Sequence, residues 1–149
     1  RHFPSFPTRR YSDLADNGVG PTRIDDVVVV FKAYPTRVGE GPFLTEMDRS
    51  VSDRLGIQEF GTVTHRQRRI GQWDGDMARY SAMINGCTQV AITGIDRVDK
   101  DCFGVTEYEK LSRKAREFLK MAEDDIGYPI TLISTGPEVS QIIDIRERR

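Results

Sequence analysis

Apolar residues along this chain recur with two periods, and the period separates strand from helix. Val27-Val28-Val29-Val30-Phe31 is an unbroken, mostly β-branched run inside Ile24 to Tyr34. Such a run suits a strand buried on both faces, as in a mostly parallel sheet. Gln89-Val90-Ala91-Ile92-Thr93 predicts a second strand ending at Gly94. Ile130-Thr131-Leu132-Ile133 predicts a third, which delivers Ser134-Thr135-Gly136 at its C-terminal end. Between the strands the period lengthens. Asp74 is placed to cap a helix whose Met77, Tyr80, Ser81 and Ile84 share one stripe, with Asn85-Gly86 as its stop. Ser112 is placed to cap another, on which Ala115, Phe118, Leu119, Ala122 and Ile126 recur at helical spacing before Gly127 and Pro129 end it. Met47 to Gln58 is polar, with Leu55 and Ile57 as its obvious anchors.

Strand, helix, strand, helix, strand is an α/β alternation, so the expected architecture is a partial, mostly parallel sheet with flanking helices. In open sheets of this class the ligand crevice lies beyond the carboxyl ends of the strands. The loops after Tyr34, Thr93 and Ile133 are therefore the places to look for chemistry. The first of them, Thr36 to Pro42, is rich in glycine, and Gly39 and Gly41 permit close backbone approach to a ligand.

Composition narrows the function classes. The 149 residues are 38% hydrophobic and 30% charged with a formal net charge of −1, which gives no overall positive field for nucleic acid or an anionic membrane. No apolar run approaches the ~18 residues that would span a bilayer, and nothing reads as a signal peptide. Cys87 and Cys102 lack metal-ligand spacing, and with His2 and His65 as the histidines a zinc site is not expected. The default compartment is the cytoplasm.

One segment stands out chemically. Gly61-Thr62-Val63-Thr64-His65-Arg66-Gln67-Arg68-Arg69 runs small hydroxylated residues straight into arginines. Each guanidinium is a planar fork that matches carboxylate or phosphate oxygens two at a time. Arg66 and Arg68 sit one residue apart, so in an extended loop they project to opposite sides and reach different ligands. By itself the cluster is equally a solvated basic turn. An RNA-phosphate patch fits less well, since the chain is near neutral and lacks aromatic interleaving.

Three segments together carry a family resemblance: Lys32-Ala33-Tyr34-Pro35-Thr36-Arg37-Val38-Gly39-Glu40-Gly41-Pro42-Phe43-Leu44-Thr45-Glu46, Glu59-Phe60-Gly61-Thr62-Val63-Thr64, and Ser134-Thr135-Gly136-Pro137. In order and spacing, from Gly18 to the C-terminus, they resemble the adenylosuccinate synthetases, and the compact linkers resemble the shorter, archaeal-like branch. The resemblance implies a P-loop-NTPase-like ligase fold of which this is the C-terminal part. It implies an enzyme that joins IMP to L-aspartate with GTP and Mg²⁺ in AMP biosynthesis, as a homodimer. In that family an aspartate acts as base on IMP, GTP phosphorylates the base oxygen, and the amine of aspartate displaces that phosphate. The family's glycine-rich phosphate loop and its catalytic aspartate and histidine do not occur in these residues. No catalytic residue is therefore expected here, the Mg²⁺ is expected mainly on the N-terminal part, and this chain alone is expected to be inactive.

Residue by residue, the resemblance makes Thr62, Val63, Thr64, His65, Arg66, Gln67 and Arg68 the loop that closes over aspartate. Arg66 would also meet the IMP ribose, Arg68 the GTP phosphate side, and Val38 would pack on IMP. Gly94, Ile95 and Asp96 lie where the family recognises guanine, and Ser134, Thr135 and Gly136 would complete that pocket. An aspartate carboxylate suits guanine because it accepts from the paired ring and exocyclic N–H groups that adenine lacks. Two departures matter. His65 stands where the family has glycine, so a Cβ occupies a position prone to positive φ. Gly94 stands where it has lysine, leaving Lys100 as a candidate to compensate. Arg37 is expected to pair with Glu40 or Glu46 for structural ends, and Trp73 to anchor the arginine loop to the core.

Residues Phe6 to Leu14 resemble the translation of a sequencing adapter, so 1–14 are expected to be a non-native or disordered tail and 15–149 the native segment. A stand-alone, non-catalytic guanine-nucleotide-binding module remains the alternative at this point.

Overall fold

The computed structural model describes residues 16–20, 23–63 and 65–146. The expected tail, 1–14, and Thr64 lie outside the described residues. Four strands form the main sheet: β1 (Val28–Lys32), β4 (Gln89–Thr93), β5 (Ile130–Ser134) and β6 (Ile142–Asp144), side by side in that order. β1 and β4 run parallel with Val30 beside Ala91, and β4 and β5 run parallel with Ala91 beside Leu132. β6 is antiparallel, placing Asp144 beside Leu132. A two-stranded antiparallel ribbon, β2 (Thr36–Arg37) with β3 (Arg69–Ile70), stands apart from the sheet. Helices among the described residues include α1 (Arg49–Leu55), α2 (Gly75–Ile84), α3 (Ile95–Val98) and α4 (Arg113–Ile126), with 3₁₀ turns at Lys100–Cys102 and Tyr108–Lys110.

The caps act where the sequence places them. The Asp74 carboxylate accepts from the Met77 amide at 3.0 Å at the start of α2. The Ser112 hydroxyl accepts from the Ala115 amide at 3.2 Å at the start of α4, and Gly127 ends α4 in the left-handed conformation. α4 buries Ala115, Leu119, Ala122 and Ile126 as its spacing predicts. Against them lie Val90, Ile92, Ile130 and Ile133 of the parallel strands, all fully or nearly fully buried.

Three expectations are corrected. α2 turns Ala78 and Ala82 inward and leaves Met77, Tyr80 and Ile84 more than half exposed, the reverse of the expected stripe. α2 and α4 pack together, and the alanines each buries in the shared core let the two backbones approach where methionine and tyrosine would hold them apart. β1 is not buried on both faces. It lies at the sheet edge with alternating exposure, and Val30 is 62% exposed. Leu55 is likewise exposed, whereas Ile57 is buried as expected.

Trp73 ties the loop side to this core. Its ring meets Phe31 and Phe118 edge-on, with centroids 6.0 and 5.7 Å away, and its indole N–H donates to Asp125 Oδ2 at 2.9 Å. The anchoring role expected of it is what the packing shows.

Candidate functional site

Because β1, β4 and β5 are parallel, their carboxyl ends open on one side of the sheet. There Lys32 and Tyr34, Thr93 to Arg97 apart from Ile95, and Ser134, Gly136 and Pro137 border one cavity of about 310 Å³, with Glu59 on its wall. Four of the six residues expected to recognise guanine, Gly94, Asp96, Ser134 and Gly136, thus come together. Gly94 turns the chain from β4 into α3 at φ 78°, a left-handed conformation that a lysine would adopt only with strain. Asp96 then falls in the first turn of α3, facing the cavity. A Cβ at Gly136 would press on the side-chain amide of Gln141, whose Oε1 accepts from the Glu138 amide in the turn before β6, so that side chain would have to shift. Ser134 Oγ donates to the Gly136 carbonyl at 2.9 Å.

The other two face elsewhere. Ile95 is fully buried in the core, and Thr135 is buried with its hydroxyl donating to the Val105 carbonyl at 2.8 Å. Their side chains hold the loops on the core, and their backbones alone could meet a ligand. Lys100 does not border this cavity; its ammonium lies by Gly56 in the adjoining cleft. Burial pushes the Tyr34 phenol above its usual range.

The arginine segment forms a narrow hairpin. Phe60 bridges Gln67, Gly61 N donates to the Arg66 carbonyl at 2.9 Å, and Arg68 N donates to the Glu59 carbonyl at 2.7 Å. Thr62 and Val63 form its exposed tip. His65 follows at φ 51°, the one non-glycine residue with positive φ among the described residues. Its amide donates back to the Gly61 carbonyl at 2.9 Å, closing the tip. Arg66 is exposed on the hairpin, and Arg68 is half-buried. Gln67 ties the hairpin to α1 through Asp53 Oδ1 at 3.1 Å.

Neighbouring arginines serve the scaffold. Arg69 Nε donates to Glu46 at 2.8 Å, and its NH1 reaches the carbonyls of Gly39 and Gly41. Arg37 NH1 donates to the Pro42 carbonyl at 2.7 Å and NH2 to the Glu40 carbonyl at 3.3 Å. The structural role expected for Arg37 is correct, but it grips backbone oxygens rather than carboxylates, since Arg69 already holds Glu46. Val38 stands exposed directly after β2, in the segment that leads away from the ribbon's first strand.

Sequence reasoning missed the group at the centre. The Glu59 carboxylate accepts from Lys32 Nζ at 2.7 and 2.9 Å, from Arg68 NH1 at 2.6 Å and from Arg97 NH1 at 3.2 Å. Burial pushes this carboxyl up, while the hydrogen bond and charge of Lys32 and the charges of Arg97 and Arg68 pull it down, leaving it below the usual range. A lone acid next to an arginine run is a faint signal, and Lys32 and Arg97 lie 27 and 38 residues away in sequence. Among the described residues, no three of His, Cys, Asp or Glu are grouped as a metal site needs, and no helix is long and apolar enough to cross a membrane.

The chain is similar to known proteins of one family. The family model for adenylosuccinate synthetase matches residues 5–102. The adenylosuccinate synthetase of Archaeoglobus fulgidus is 64% identical over 99% of this chain, which spans 44% of that relative. That of Pyrococcus horikoshii is 59% identical over 91% of the chain and 40% of the relative. The fully ligated adenylosuccinate synthetase of Plasmodium falciparum superposes with a TM-score of 0.76 at 26% identity, covering 88% of this chain and 42% of that one. The chain thus spans less than half the length of the relatives it matches, and it belongs to the adenylosuccinate synthetase family.

Proposed function

We propose that this segment is the part of a GTP-dependent ligase, joining IMP to L-aspartate through a new C–N bond, that holds guanine and aspartate. The observation that carries the reading is the juxtaposition of an acid-bearing crevice at the strand ends with an arginine hairpin, linked through Glu59. Asp96 accepts the paired N–H groups of guanine, with the backbone of Gly94 and Ile95 and the loop Ser134, Thr135 and Gly136 around the base. The hairpin from Thr62 to Arg68, Thr64 and His65 included, closes over aspartate. Arg66 and Arg68 face its carboxylates, Arg66 also toward the IMP ribose and Arg68 toward the GTP phosphates. Val38 packs on IMP.

The Mg²⁺ that supports phosphoryl transfer is read as held mainly by the remainder of the enzyme, together with the phosphates of GTP. The proton-transfer groups are assigned to other parts of the enzyme, which we read as a cytoplasmic homodimer. The 149 residues alone should form no adenylosuccinate from IMP, GTP and aspartate.

Asp96→Asn in the full-length enzyme tests the reading. An amide facing guanine's donors replaces one acceptor with a donor, so the advantage of GTP over ITP, which lacks the exocyclic amine, should disappear. An unchanged GTP-to-ITP preference sinks the assignment.

A further inference from the structure

We propose that Glu59 is a positioning residue that couples nucleotide in the crevice to the grip of the arginine hairpin on the amino acid. This rests on the reading of the two sites above and adds the link between them. Glu59 takes partners from four separate places in the fold. Lys32 comes from the end of β1, Thr36 from β2 through its hydroxyl at 3.4 Å, Arg68 from the hairpin and Arg97 from α3. Its side chain is 16% exposed, whereas its cationic partners are 29 to 42% exposed, so the carboxylate itself is sheltered while the partners keep one side toward water. It also holds Arg68 twice, through the carboxylate and through its own backbone carbonyl.

One negative charge is shared by three cations, and a carboxylate has about four lone-pair directions to offer. The partners therefore compete. A nucleotide seated in the crevice engages Lys32 and Arg97, both of which border it, draws them off the carboxylate and leaves more of it to NH1 of Arg68. With NH1 fixed, the planar guanidinium of Arg68 is oriented. Its buried Nε has no hydrogen-bond partner among the described residues. Filling the crevice should thus tighten the hairpin's hold on a dianionic amino acid, and by linkage the reverse should hold equally for binding.

The experiment measures the KM for aspartate in the full-length enzyme at saturating and at limiting GTP, for the natural residue, Glu59→Gln and Glu59→Asp. With Glu59, the aspartate KM should fall several-fold as GTP saturates. Glu59→Gln should raise it by about tenfold, the scale of one lost charge-assisted hydrogen bond, and abolish its dependence on GTP. Glu59→Asp keeps the charge and should restore part of that dependence. Melting temperatures accompany each variant. A Glu59→Gln enzyme that keeps the GTP dependence overturns the proposal. So does one in which the KM values for aspartate, IMP and GTP rise together with a lowered Tm, the mark of a purely structural ion pair. The Asp96→Asn comparison separates the failures: if guanine preference responds to Asp96 while coupling ignores Glu59, the link alone is wrong. If Asp96 has no effect on preference, the crevice reading itself falls.

Discussion

Where α2 and α4 lie against β4 and β5, the contacts are alanine, leucine and isoleucine, with scarcely a charged atom among them. At the carboxyl ends of the same strands the contacts are carboxylate to guanidinium and ammonium, at distances of 2.6 to 3.2 Å. The first region is held by burial, which is insensitive to direction, and the second by hydrogen-bond geometry, which is not. Stability and ligand recognition should therefore respond to different substitutions. A change in the packed region should lower both melting temperature and activity. A change in the charged region should alter substrate requirements with far less effect on melting.

The sharpest break in that contrast comes from Ile92→Ala. Ile92 is fully buried in β4, between β1 and β5. Removing its branched chain leaves a cavity and should destabilise the full-length protein by about 2–5 kcal/mol. Denaturant melts measure this. A loss below ~1 kcal/mol would mean that the sheet centre is loosely packed and that the contrast is overdrawn.

Arg68→Leu probes the other region. It removes one contact to Glu59 and one fork proposed to hold the amino acid. We expect the aspartate KM to rise, or turnover to fall, by roughly 10- to 100-fold, the equivalent of a charge-assisted hydrogen bond of about 1.5–3 kcal/mol. Arg66→Leu, on the exposed part of the hairpin, should act on the same parameters with even less effect on Tm. Parallel losses of Tm and activity in either variant would make the arginines scaffold, like Arg37 and Arg69.

The comparison also shows what the sequence could reveal. The packed region was legible where a single period suffices: the α4 stripe, both caps, and the starts of β4 and β5 follow from local spacing. It misled for α2, because the hydrophobicity of Met77, Tyr80 and Ile84 outweighs that of Ala78 and Ala82, while close helix packing selects for size. β1 read as doubly buried since its residues are all apolar, yet in the structure it has a strand on one side. β2, β3 and β6 have two or three residues each, too few to show a period. In the charged region the placement of Asp96 and Ser134 at the carboxyl ends of strands was legible. The inward turn of Thr135 and the convergence on Glu59 did not, because they depend on residues brought together only by the tertiary fold.

Acid should separate the regions again, with a smaller effect. Glu59 is held below the usual carboxylate range, so the native state binds its proton less readily than the unfolded chain does. The stability it contributes is therefore present above the unfolded value of about 4.3 and is lost as pH falls through the lower native value. Between about pH 6 and pH 3.5, Glu59→Gln should lose less melting temperature than the natural sequence, by the equivalent of ~1 kcal/mol or less. Identical acid limbs for the two proteins would show that the three cations add no net stability through Glu59.

The smallest expected effect concerns His65. At φ 51° it holds the hairpin tip in a conformation that costs a residue with a Cβ, though histidine tolerates it better than most. His65→Gly removes that strain but frees the unfolded chain, and the two effects oppose each other. The net change should be a gain of no more than ~1 kcal/mol, with the aspartate KM nearly unchanged. His65→Val places a β-branched side chain at the same φ, where it does not fit. The tip must then open, breaking the His65 amide bond to the Gly61 carbonyl, and the aspartate KM should rise several-fold with little change in Tm. The order glycine at or above histidine, and both well above valine, is what the backbone predicts for affinity. If valine binds aspartate as well as histidine does, the tip does not need its left-handed turn, and the hairpin closes over its ligand in some other conformation.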